Sequence, residues 1–98
     1  MASRNRYLLA YDIRHPRRLR RVHRVALDFG DPLQYSVFVC DLTRRQLLRL
    51  KARLMDEVKI DEDSVSIFDL GAPTGRGVEC IESIGARRWV PESDPPVW

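Results

Sequence analysis

Asp12 is the residue on which chemistry could rest. It stands near the end of the run Tyr7-Leu8-Leu9-Ala10-Tyr11-Asp12-Ile13, an almost wholly apolar stretch of the kind that reads as a buried strand. A carboxylate at such a strand mouth lies where buried structure meets solvent. Directly downstream come Arg14, Arg17, Arg18, Arg20, Arg21 and Arg24. One acid beside many arginines suits a site that handles phosphates with a bound cation. The carboxylate would hold a hydrated Mg2+ or another divalent cation, and guanidinium forks would take phosphate oxygens in pairs. Two plainer readings compete. Asp12 could organise the turn before Pro16 through side-chain-to-backbone hydrogen bonds, and a charge run can be a solvated helix face. Against the second stands the composition of residues 1–24, with eight arginines and one acid. That leaves out the i,i+4 acidic partners a plain exposed helix would use.

Other candidates carry less. No histidine stands in a predictable relation to Ser36, so it is a poor nucleophile. His15 adjoins Asp12's loop and could transfer protons or simply be a loop residue. Tyr11, Tyr35 and Phe38 could stack on bases, but core packing is the simpler use of aromatics in strands. Arg44, Arg45 and Arg49 form a second, sparser basic set. Cys40 and Cys80 lie far apart without a CxxC neighbour, which excludes a zinc signature and points to two buried free thiols.

The formal charge of +3 hides an asymmetry. Residues 1–24 balance at +7 and residues 56–70 at −5. Fifteen of the seventeen basic residues are Arg, so the basic end is built for a polyanion partner. Phosphate contacts carry no base information, so binding should be insensitive to sequence.

The elements that must position these groups follow from periodicity. Residues 6–13 read as strand one. Pro16 suits a first helical position, and Leu19, Val22, Ala26 and Phe29 form one apolar face of a helix ending near Phe29. Gly30, Asp31 and Pro32 stop it. Residues 33–42 are one strand or two short ones with a bend. Thr43 with Gln46 is a capping box opening a helix over 43–58, with Leu47, Leu50, Leu54 and Val58 as its core stripe and Leu48 and Met55 widening it. Asp61-Glu62-Asp63 reads as an acidic turn, 64–70 as a strand, 71–77 as a loop and 78–84 as a last, half-apolar strand. The 98 residues suit one domain, here 1–90 with a Pro-rich tail over 91–98. The tail is flanked by Trp89 and Trp98, which suit a docking segment. No apolar run approaches a membrane span and no signal-peptide pattern is present. The expectation is a cytoplasmic protein without a membrane partner. The element order implies an α+β sandwich, most simply a ferredoxin-like βαββαβ arrangement with an extra C-terminal strand. Two helices cover one sheet face, leaving the other for a second copy or the tail.

Tyr11-Asp12-Ile13, Gly30, the Gln34-Tyr35-Ser36-Val37-Phe38 stretch and the capped helix at Thr43, in this order and spacing over residues 6–70, resemble the second CRISPR-associated (Cas) protein family, the small subunit of the adaptation complex. The resemblance implies a ferredoxin-like symmetric homodimer. It also implies a metal-dependent endonuclease acting on RNA or double-stranded DNA, taking part in spacer acquisition, with a C-terminal segment contacting the Cas integrase subunit. It makes Asp12 the metal ligand and catalytic carboxylate, facing its counterpart across the dimer, with Tyr11, Ser36 and Phe38 lining or supporting the site. It places basic residues at and after the loop into helix one without choosing among the arginines. Two other readings stand beside it. One is a non-catalytic DNA-binding scaffold that bridges the integrase, and the other is a VapD-like toxin ribonuclease with no integrase partner.

Overall fold

The computed structural model describes residues 3–76 and 80–85. Six elements follow one another: β1 (Asn5–Asp12), α1 (Pro16–Phe29), β2 (Asp31–Gln34), β3 (Val37–Leu42), α2 (Arg44–Glu57) and β4 (Ser64–Asp69). The strands form one sheet in the order β2-β3-β1-β4, and every neighbouring pair is antiparallel. Side chains alternate across a strand, so β1 sends Tyr7, Leu9, Tyr11 and Ile13 to one face. There they pack with Val22, Val25 and Ala26 of α1 and Leu50 and Leu54 of α2. Phe38, Cys40 and Leu42 of β3 complete this core. Asp12 belongs to the opposite set and lies on the face away from both helices.

The capping box forms as expected: Thr43 N–H donates to Gln46 Oε1 at 2.8 Å and Gln46 N–H donates to Thr43 Oγ1 at 3.2 Å. Residues 33–42 resolve into two strands, because the chain turns at Tyr35 and Ser36. Pro32 is tolerated in β2 because β2 is a sheet edge, where a missing N–H breaks no central ladder. Four expectations need correction. Leu48 and Met55 do not widen the α2 core; they are 55% and 59% exposed. Successive helical residues point about 100° apart, and a sheet packed on one side of α2 covers only the Leu47–Leu50–Leu54 stripe. Gly30 follows α1 as its C-cap, as expected, with an extended backbone at φ −164°. Its need is space: a Cβ there would sit 2.5 Å from Cys40 Sγ and 2.5 Å from Val39 O. Asp31 and Pro32 are not mere helix stops, because they already belong to β2. Cys40 is a buried free thiol, pushed up to about 12 chiefly by burial, but Cys80 is exposed. Finally, residues 80–84 carry no strand. Residues 78 and 79 of that expected strand, and the tail over 91–98 with Trp89 and Trp98, lie outside the described residues.

On the face away from the helices, Arg6 is paired in register with Asp41 and nearly fully buried. Its Nε and Nη2 donate to the two Asp41 carboxylate oxygens at 2.8 and 2.9 Å. A buried guanidinium is tolerable only with such a fork.

Candidate metal site and nucleic-acid interface

Asp12 closes β1 opposite Ser64 of β4. Its side chain is 63% exposed, and its ion-pair partner is Arg14, whose Nη2 lies 3.3 Å from Oδ2. The adjoining strand end is held by Tyr11 N–H, which donates to Ser36 O at 3.1 Å. Ser36 therefore meets this strand end through its backbone carbonyl. Asp12 is therefore a carboxylate fixed at its Cα and open at its oxygens. Among the described residues no group of three or more His, Cys, Asp or Glu side chains is placed to hold a metal.

The arginines divide into three groups. Arg17, Arg20, Arg21 and Arg24 line a shallow recess of about 330 Å³ on α1, as the i, i+3/i+4, i+7 spacing dictates. Arg14 stands apart from the row and touches Asp12. Arg18 points elsewhere. Its Nε and Nη2 donate to Asp63 at 2.7 and 3.1 Å, and Nη2 also to Glu62 at 3.1 Å. This engagement sets Arg18 apart from the row, with its guanidinium bonded to carboxylates. The acid and the arginines are thus not one continuous site, since the carboxylate is on the open sheet face and the recess on α1.

Asp63 was visible in the sequence only as part of an acidic turn. It is a fully buried carboxylate that accepts from Arg18, from Arg14 N–H at 2.9 Å and from Lys59 N–H at 2.8 Å. The Arg18 hydrogen bond, with the two backbone donors, outweighs burial and holds its carboxyl well below the usual range. Lys59 and Arg18 likewise lower Glu62. Asp63 thereby fastens the β1–α1 loop that follows Asp12. The sequence signal was complementarity between this acidic turn and a basic α1, without a pairing. His15 caps α1: Arg17 N–H donates to its Nδ1 at 3.1 Å.

Sequence reasoning also missed His23. It stacks on Tyr35 with centroids 4.7 Å apart and planes 11° apart, and meets Phe38 edge-on at 5.3 Å. Tyr11 Oη donates to Tyr35 O at 3.1 Å, because a carbonyl only accepts. Its second contact, 3.1 Å to His23 Nδ1, is therefore donated by Nδ1–H, which fixes the tautomer. Burial, then Tyr35, pushes the Tyr11 phenol up to about 12. Tyr11 and Phe38 lie on the helix-side face, behind Asp12 rather than beside its carboxylate.

The model of the family "CRISPR associated protein Cas2" matches residues 5–76. The chain is 40% identical over 79 residues to a CRISPR-associated endoribonuclease Cas2 of Geobacter sulfurreducens, covering 81% of this chain and 82% of that one. It is 36% identical over 93 residues to a CRISPR-associated endoribonuclease Cas2 of Nitratidesulfovibrio vulgaris, covering 90% and 85%. Among solved structures, Streptococcus pyogenes Cas2 at pH 6.5 superposes with a TM-score of 0.71 at 29% identity, covering 82% of this chain and 99% of that one. A hypothetical protein, TT1823, from Thermus thermophilus superposes with a TM-score of 0.78 at 26% identity, covering 92% and 100%.

Proposed function

This chain belongs to the Cas2 family of CRISPR-associated proteins, and we propose that it is a metal-dependent endonuclease of CRISPR adaptation, cleaving RNA or double-stranded DNA as a symmetric dimer. The observation that carries this reading is Asp12: a carboxylate rigidly placed at a strand end, 63% exposed, on the sheet face that neither α1 nor α2 covers. We read the antiparallel β2-β3-β1-β4 sheet as ferredoxin-like. Its open face bears half-buried Leu8, Ala10 and Val37 and half-exposed Phe68, which a second copy would cover. A two-fold axis repeats every group, so two Asp12 side chains would converge where one cannot hold a cation. Mg2+ is commonly bound through one or two carboxylates, waters and substrate phosphate. Bound there, it would polarise a phosphoryl oxygen and activate a water. Arg14 would approach the same phosphate, and Arg17, Arg20, Arg21 and Arg24 would hold the backbone without reading sequence. A C-terminal segment would contact the integrase.

A second reading has its own support. The absence of a larger ligand cluster among the described residues suits a scaffold in which the arginines clamp nucleic acid and Asp12 performs no chemistry. Labelled single-stranded RNA and double-stranded DNA, incubated with Mg2+, with EDTA and with the Asp12→Ala variant, separate the two. The nuclease reading expects cleavage that EDTA and Asp12→Ala both abolish, with binding retained. Cleavage by Asp12→Ala at the wild-type rate would sink the metal site, and binding without cleavage in any condition would leave the scaffold.

A further inference from the structure

We propose that the outward face of Tyr35, backed by His23, is a stacking platform for one unpaired nucleobase at the margin of the α1 arginine row. The proposal rests on the reading of that row as a phosphate-binding surface. Tyr35 sits in the turn between β2 and β3 and is 57% exposed. One side of its ring lies against His23 at 4.7 Å and 11°, so the exposure belongs to the other side.

An exposed tyrosine on a tight turn ordinarily swings freely. This one is anchored through a stack of rings that reaches the core. His23 rests edge-on against Phe38, which is fully buried. Its Nδ1 is bonded to Tyr11 Oη, and that hydroxyl donates to the backbone carbonyl of Tyr35 itself. Ring and turn are thus held by the same buried phenol, giving a flat aromatic face in a set orientation.

Its position completes the argument. His23 and Arg20 are three residues apart on α1, hence neighbours on the helix surface. Arg20 lines the recess shared with Arg17, Arg21 and Arg24. A backbone lying in the recess therefore brings its bases to the height of Tyr35. Bases inside a closed duplex already stack on both faces, so along a strand it is an unpaired base that can offer its face to the ring. Aromatic stacking tolerates any base, because each has a π-face. The platform favours single strands or frayed ends over closed duplexes without reading sequence.

The test uses the full chain, a fluorescein-labelled single-stranded RNA, a blunt double-stranded DNA, and the same single strand carrying 2-aminopurine. Tyr35→Ala should weaken single-strand binding by roughly 5- to 150-fold, the range for one base–aromatic stack. It should also remove the 2-aminopurine quenching and leave duplex affinity unchanged, while Tyr35→Phe keeps all three. The platform is overturned if Tyr35→Ala binds the single strand like wild type, or loses single strand and duplex alike. The double variant Arg17→Glu/Arg21→Glu separates the two claims. If it binds both probes like wild type while Tyr35→Ala still loses the single strand, the phosphate row fails and the platform stands.

Discussion

Asp12 and Asp63 are both carboxylates beside α1, and the molecule treats them in opposite ways. Asp12 is 63% exposed and paired with Arg14 at 3.3 Å. Asp63 is fully buried and accepts from Arg18, Arg14 and Lys59 at 2.7 to 3.1 Å. The same contrast runs through the arginines, with Arg18 committed to carboxylates and Arg17, Arg20, Arg21 and Arg24 facing a solvent recess. Charge alone does not mark a functional group. A charged group whose hydrogen-bonding capacity is filled holds the fold, and one placed by the fold with capacity to spare can act on a ligand.

The largest effects should come from exchanging the two acids for amides. Asp12→Asn should reduce metal-dependent cleavage to background while moving the melting temperature by no more than about 2–4 °C, as surface changes do. Asp63→Asn should lower the melting temperature on the order of 10 °C, because it removes the charge of a buried carboxylate on which the Arg18 fork and two backbone N–H groups converge. Paired cleavage assays and thermal melts read both effects. Equal melting temperatures for the two variants would erase the distinction. The next effect lies on the arginines. Arg17→Glu/Arg21→Glu should weaken nucleic-acid binding and reduce the log–log salt slope by about 1.4–1.8, two phosphate contacts' worth. Arg18→Gln should leave the slope as it is, and a slope altered equally by both would show that Arg18 reaches phosphate after all.

The smallest effect is with pH. Asp63 and Glu62 have carboxyls lowered in the folded chain, so they bind protons more readily when it is unfolded. Their stabilisation is complete above the ordinary carboxylate pKa of about 4 and is lost as pH falls below it towards the depressed folded values. Melting curves should therefore fall more steeply below pH about 4 for wild type than for Asp63→Asn. Parallel curves would remove the linkage.

Much of this was legible from residues close in sequence. The Asp12 strand end, the α1 arginine stripe, the Thr43–Gln46 box and the order of elements up to β4 were readable, apart from the division of residues 33–42 into two strands. Each depends on a two-residue or 3.6-residue period, or on hydrogen bonds between near neighbours. Where the local reading failed, packing had intervened. Leu48 and Met55 look like core on a helical wheel, yet the sheet covers one stripe. Arg18 looks like its neighbours, yet Asp63 waits 45 residues away.

By itself the amino-acid sequence determined the two helices, the strand that carries Asp12, the strand after the acidic turn and where the basic charge gathers, because those depend on covalent order and local geometry. Only the tertiary structure decided which acid is buried and which is open, which arginine is committed, and that His23 lies under Tyr35. Those outcomes depend on contacts between segments distant in the chain, and no local period records them.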